Sequence, residues 1–254
     1  MVSLYEPRAI PLLMNDCHVW YCSINDIQPW HLRLLSEEEQ IRAKSYKKEQ
    51  DRVRFILGCT ISRIVLSVQL NIAPQFVPIA RICPHCKHLH GKPTLTRGNI
   101  QFSVSHSEDV IVVAFIKNYK IGIDVEYIDS NIDFLALEKS VLTEEEKMQL
   151  SHLPLRKRRS GFLTYWTRKE ALLKATGEGL MTSPLNISVS SPNHPAKLLS
   201  FHNRPSLIQN SLLVDLDTRL GYIGSLAILG GETIHIKQFN GSFILKEAFT
   251  SLNM

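Results

Sequence analysis

With 254 residues, 44% of them hydrophobic and 21% charged, the chain has the proportions of an ordinary soluble globular protein, at a length where one core tends to divide into two lobes. No apolar run approaches the roughly 20 residues of a membrane-spanning helix, and the N-terminus lacks the charged-then-apolar order of a signal peptide, so a cytoplasmic chain with no membrane partner is expected. The net charge of +5 suits anionic partners (nucleotides, acidic proteins, nucleic acid or a membrane surface) and equally a merely basic surface, while five cysteines (17, 22, 59, 83 and 86), an odd number without a secretion signal, argue against a disulfide framework.

Residues 17–24, rich in aromatic and β-branched side chains, read as a first strand. Ser36-Glu-Glu-Glu39 is a capping box in which Ser36 caps a helix and Glu39 reaches back, and a basic helix is expected through the forties. A second helix, near 50–70, carries Val53, Ile56, Leu57, Thr60, Ile61 and Ile64 at helical spacing. Pro74 and Pro78 mark a loop. Cys83-Pro-His-Cys86, with His85, His88 and His90, contains half of a zinc site. No second cysteine pair follows and His88 and His90 stand only two apart, which favours a plain turn, though a structural metal at Cys83 and Cys86 stays open. Residues 100–106 and 110–116 read as a hairpin, with Val110 to Phe115 a buried strand, and Ile121–Val125 is another.

The second half repeats this order. Leu142-Thr143-Glu-Glu-Glu146 echoes Leu35-Ser36-Glu-Glu-Glu39, 107 residues later. Each box is followed by a basic stretch (Arg42 to Arg54; Arg156 to Arg159), then an apolar helix, then strands, the last at Tyr222 to Leu229. The matching order makes an internal duplication the economical reading. Two similar lobes related by pseudo-twofold symmetry are expected, divided near Tyr119 into 1–119 and 120–254. A ligand cleft is expected between them.

Asp124 and Glu126 stand two apart on a predicted strand and project to one face, with Ile123 and Val125 on the other. Two acids that close repel unless a cation neutralises them, yet alone such a pair is most simply a solvated strand end. Trp166, Glu170 and Lys174 fall at i, i+4 and i+8 and share a helix face; Glu170 and Lys174 alone are an ordinary helix pair worth roughly 0.2–0.5 kcal/mol. Gly177 is the expected residue just past the helix end. Three carboxylates from two elements, with a lysine one turn on, suit a hard cation bridged to substrate phosphates: Mg²⁺, with Mn²⁺ as the alternative.

At these residues the chain resembles the Sfp-type 4′-phosphopantetheinyl transferases. The family pattern Gly-x-Asp-x-Glu stands here as Gly122-Ile-Asp124-Val-Glu126, and its Trp-x-x-Lys-Glu-Ala-x-x-Lys as Trp166 to Lys174. Gly91-Lys92-Pro93 resembles the family's Gly-Lys-Pro turn, and Phe102-Ser-Val-Ser105-His106-Ser107 its Asn/Ser-x-Ser-His-Ser strand. Four motifs in order at family spacing are specific where each alone is weak. The resemblance implies transfer of the phosphopantetheine arm of coenzyme A to a serine of an apo carrier protein, with release of adenosine 3′,5′-bisphosphate, and an α+β fold of two similar lobes in one chain with coenzyme A in the cleft between them; since the duplication supplies both halves of the cleft, a monomer is expected. It also implies roles. Asp124, Glu126 and Glu170 would hold Mg²⁺ against the pyrophosphate, Glu170 would serve as base for the serine, and Lys174 would steady or protonate the leaving phosphate. Ser105 and His106 would contact the pyrophosphate, and Gly91, Lys92 and Pro93 would form the turn by which Lys92 reaches the nucleotide phosphates. Arg54 matches an arginine that contacts the 3′-phosphate. One position departs from the pattern: Glu39 stands where the family often has a base, so the 3′-phosphate clamp is expected to rest on Arg42, Arg54 and Lys44.

Two other readings compete. An inactive carrier-binding homologue would not be expected to keep all three carboxylates and Lys174. A nucleic-acid module with a zinc turn would draw on Arg156-Lys-Arg-Arg159, but four basic residues on a helix are usually a solvated face, and acidic carrier proteins suit them better than nucleic acid. Trp166 reads as core packing. Phe134, Leu135 and Leu137 would serve carrier docking if exposed and plain packing if buried.

Overall fold

The computed structural model describes residues 10–82, 88, 91–130, 133–230 and 233–246. In chain order its elements are β1 (Asp16–Ser23), α1 (Glu37–Ser45), α2 (Glu49–Leu70), the short β2 (Ile79–Ala80) and β3 (Thr94–Leu95), β4 (Ile100–Ser107), β5 (Val110–Lys117) and β6 (Lys120–Tyr127). There follow α3 (Phe134–Val141), α4 (Glu144–Ser151), α5 (Leu155–Thr176), β7 (Ile187–Val189), β8 (Leu198–Phe201), β9 (Ser211–Asp215), β10 (Tyr222–Leu229) and β11 (His235–Asn240). The chain mixes α and β and falls into two compact units. One contains the described residues up to Asn118 and those from Ile234 onward; the other runs from Tyr119 to Thr233.

In the first unit four strands lie in the order β11-β1-β5-β4. β5 is antiparallel to both neighbours, with Ala114 opposite Val19 and Ser103, and β11 joins β1 in parallel. Val110 to Ile116 are all buried, which explains why β5 reads as a continuous apolar run with no alternation. α2 packs on β5 and β4, setting Leu57 and Ile61 into one core with Trp20, Phe102 and Phe115. By length and hydropathy α2 is apolar enough to cross a membrane, contrary to the sequence expectation. Most of it is buried within the unit, as the core helix of a globular protein is.

The predicted capping box at α1 forms in both directions: Glu39 N donates to Ser36 Oγ (3.4 Å) and Ser36 N to Glu39 Oε2 (3.3 Å). Glu39 does more than cap. Its carboxylate takes Arg63 Nε at 2.5 Å with both side chains buried, and Arg63 also donates to the carbonyls of Pro74 and Val77 (2.8 and 3.1 Å). That buried pair ties α1, α2 and the turn after α2 together.

The second unit carries the antiparallel sheet β6-β10-β9 with α5 laid across β6 and β10. Its capping box forms as well, Thr143 N to Glu146 Oε2 at 2.9 Å and Glu146 N to Thr143 Oγ1 at 3.3 Å. Here too the glutamate meets a buried base, Lys169 Nζ at 2.5 Å. α5 ends at Gly177 in the left-handed conformation (φ 81°) that glycine adopts without strain. The basic run 156–159 is only partly a solvated face. Arg158 donates to the carbonyls of Leu153 and Ser151, and Arg159 donates to those of Ile128 and Ser130 and lies over the Phe134 ring, because unpaired carbonyls at a turn attract a guanidinium fork. Trp166 packs against the core and Phe162 as expected. In α3, Leu135 is exposed, whereas Phe134 and Leu137 pack on the core.

Candidate active site

The crossing of α5 over β6 is made possible by one residue. A Cβ on Gly122 would lie 2.0 Å from Ala171 O and 2.4 Å from Ala175 N, so only glycine lets strand and helix backbones come this close. By strand alternation Asp124 shares that face. Lys174 reaches back from the helix, its Nζ 2.7 Å from Asp124 Oδ1 and donating to Ile123 O at 3.1 Å.

The rotation of α5 about its axis is fixed by three consecutive buried polar residues. Thr167 Oγ1 meets Ser225 Oγ of β10 at 3.0 Å. Arg168 holds both carboxylate oxygens of Asp215 (2.9 and 2.5 Å) and the carbonyls of Ser190 and His194. Lys169 adds the carbonyls of Val141 and Pro184 (2.7 and 3.1 Å) to its ion pair with Glu146. Every donor of these groups that leaves water finds an acceptor, which offsets the desolvation of two full charges. Glu170, the next residue, is thereby aimed with little freedom.

Glu170 differs from these neighbours. Its Oε1 is buried and has no hydrogen-bond partner among the described residues. Burial pushes its carboxyl up to about 7, the nearby Asp124 charge adds to the rise, and Lys174 opposes it. A buried acid beside a second acid, relieved by one lysine, is a place that accepts either a proton or a cation. Among the described residues no group of three or more His, Cys, Asp or Glu is gathered as a metal cage. What the structure brings together is Asp124, Glu170 and Lys174; Glu126 follows on the same strand, half-buried. A pair of carboxylates fits Mg²⁺, which keeps several waters and completes its shell with substrate phosphates.

The other candidates lie in the first unit. Ser105 is buried and His106 exposed near the end of β4. Gly91 N donates to Arg81 O at 2.6 Å, fixing the Gly91-Lys92-Pro93 turn, with Lys92 half-buried and Pro93 buried. Arg54 is engaged by acids of its own unit, 2.7 Å from Asp51 Oδ1 and 3.6 Å from the Glu108 carboxylate, and donates to Glu108 O. Arg42 lies over the Phe55 ring and lines a cavity of about 390 Å³ with Arg81, a residue the sequence reading missed. Glu39, which stands where the family often has a base, is the capping-box acid as expected, and its carboxylate also pairs with Arg63. Cys83, Cys86, His85 and His90 lie outside the described residues; His88 is exposed.

A model of the 4′-phosphopantetheinyl transferase superfamily matches residues 120–226, the stretch that holds Asp124, Glu170 and Lys174. The chain is 31% identical over 203 residues to the 4′-phosphopantetheinyl transferase HetI of Nostoc sp., covering 77% of this chain and 83% of that protein. It is 32% identical over 172 residues to a putative 4′-phosphopantetheinyl transferase of Synechocystis sp., covering 66% and 68%. It is 33% identical over 152 residues to the 4′-phosphopantetheinyl transferase gsp of Aneurinibacillus migulanus, covering 60% of each. The crystal structure of Thermotoga maritima holo-[acyl-carrier-protein] synthase superposes on 44% of this chain and 64% of its own, at 23% identity and a TM-score of 0.37.

Proposed function

The chain belongs to the 4′-phosphopantetheinyl transferase superfamily, and from that premise we propose that Asp124, Glu170 and Lys174 carry out transfer of the phosphopantetheine arm of coenzyme A to a carrier-protein serine. The observation that carries this reading is the half-buried Glu170, whose Oε1 is buried without a hydrogen-bond partner among the described residues and whose carboxyl is raised to about 7 beside Asp124 and Lys174. In the reaction the serine Oγ attacks the phosphorus bearing the pantetheine, and the bond from that phosphorus to the bridging oxygen of the pyrophosphate breaks. Adenosine 3′,5′-bisphosphate leaves. The serine proton passes to Glu170, directly or through a water. A carboxylate poised near neutrality is suited to take it. Lys174 donates to the leaving phosphate and offsets its growing charge, the main demand of phosphoryl transfer.

The enzyme is proposed to depend on Mg²⁺, with Mn²⁺ as an alternative. Asp124 and Glu170 would hold the ion, and Glu126 is the third candidate ligand. Such an ion, when bound, neutralises phosphate charge and aligns the pyrophosphate. Arg42, Lys92, Ser105 and His106 are proposed to contact coenzyme A. The matched pairs Glu39–Arg63 and Glu146–Lys169, each joining a capping box to a 22-residue helix, support descent of the two units from a duplicated segment. A chain that carries both copies is expected to act as a monomer.

Calorimetry of coenzyme A binding tests the site. Wild type should bind more tightly with Mg²⁺ than with a chelator. Asp124→Asn should lose that difference. Equal Mg²⁺ enhancement in both proteins contradicts the assignment.

A further inference from the structure

Resting on the transferase reading, we propose that Ser225 and Asp215, which stand outside every motif in the sequence, are positioning residues for transfer. With Thr167 and Arg168 they stop α5 at one register on the sheet and so hold Glu170 beside Asp124.

The sheet carries a polar row. In β6-β10-β9, Asp124 stands opposite Ser225, and Ser225 stands opposite Asp215. Residues directly opposite on antiparallel strands put their side chains on one face, with Cβ atoms about 4.5–5.5 Å apart. The three side chains therefore form a line across all three strands, on the face that α5 covers. The helix answers each of them. Lys174 Nζ donates to Asp124 Oδ1 at 2.7 Å, Thr167 Oγ1 meets Ser225 Oγ at 3.0 Å, and Arg168 takes both oxygens of Asp215. Ser225 Oγ also donates to Asp215 Oδ1 at 3.3 Å. Its one proton is then used, so it accepts from Thr167. The hydrogen bonds run in one direction, from Thr167 through Ser225 to the Asp215 carboxylate.

Stability does not explain this row. Thr167, Arg168 and Ser225 are wholly buried, and buried polar groups gain little over apolar residues of the same shape. What they add is direction. Apolar packing tolerates a small slide of helix on sheet, whereas a hydrogen bond weakens steeply once its geometry is lost. Gly122 sets how closely α5 approaches; the row sets where it stops. Thr167 lies three residues before Glu170, one turn away on the same helix, so a slip at Thr167 reaches Glu170 undiminished. A displacement of about 1 Å can cost ~100-fold in rate.

Steady-state transfer to an apo carrier tests the proposal in wild type, Thr167→Val, Thr167→Ser, Ser225→Ala and the double variant Thr167→Val/Ser225→Ala, each assayed well below its own thermal midpoint. Thr167→Val keeps the size and β-branching of the side chain and removes only the hydroxyl. It should lower kcat about tenfold, a fraction of the loss that full misalignment brings, with KM for coenzyme A and for the carrier within about twofold of wild type. Ser225→Ala should do the same, and the double variant should fall no further than either single one, because both remove one shared contact. Thr167→Ser, which keeps the hydroxyl, should stay within about twofold of wild type. Three results each overturn the proposal: single variants with wild-type kcat, losses that multiply in the double variant, or a loss in Thr167→Ser equal to that in Thr167→Val. All three presuppose a wild type that transfers; a wild type that transfers nothing takes down the transferase reading and this inference with it.

Discussion

Glu170 is the residue on which the proposed chemistry turns, and its environment makes a prediction about stability as well as rate. Its folded pKa is raised to about 7 from an ordinary 4.5, by burial first and by Asp124 second. Between those values the folded protein holds a proton that the unfolded chain releases, so stability falls as pH rises from 4.5 to 7. Glu170→Gln removes that slope. The stability of the mutant relative to wild type should therefore grow across this window and level off above it. His18 and His31, lowered to about 4 by burial, give an opposite slope to both proteins, which cancels in the difference. Denaturant titrations at several pH values measure it, and a flat difference contradicts the burial of Glu170. Above pH 7, added Mg²⁺ should raise the thermal midpoint of wild type more than that of Glu170→Gln. That Glu170 and Lys174 share one helix was legible in the sequence from their spacing. The perturbation of Glu170 was not, since that depends on which groups α5 and β6 bring together.

The crossing of α5 and β6 places those groups, and two substitutions probe it. Gly122→Ala would drive a methyl into Ala171 O, displacing strand from helix and Asp124 from Glu170. Overpacking of this kind costs about 1–3 kcal/mol, whereas the loss of transfer should be far larger, at least ~100-fold, since alignment carries the reaction. Transfer within a few-fold of wild type would show that the close approach is dispensable. Lys169→Met would strand the buried Glu146 carboxylate. Breaking a buried pair costs about 3–5 kcal/mol, a fall in thermal midpoint of roughly 10 °C for a chain this size; a midpoint within about 2 °C of wild type contradicts the anchoring role. At this scale local signals read well: both capping boxes, the β4–β5 hairpin and the glycine end of α5 stand where the sequence places them. Long-range pairings do not read. The parallel union of β11 with β1, the Glu39–Arg63 pair and the packing of both Arg42 and Arg81 on the Phe55 ring join residues whose nearness only the folded chain creates. The basic run 156–159 was half legible for the same reason, because a carbonyl acceptor leaves no mark on composition.

For the molecule as a whole, a transferase and an inactive carrier-binding homologue share the fold and differ in whether the site turns over. The net charge of +5 suits an acidic partner in either case and cannot separate them. What separates them is the mass of an apo carrier protein after incubation with coenzyme A, Mg²⁺ and this protein, set beside the same incubation with Glu170→Gln. The account predicts that the carrier gains one phosphopantetheine arm with wild type and none with the mutant, although the mutant remains folded. No gain with wild type across several carriers, or an equal gain with Glu170→Gln, would contradict it.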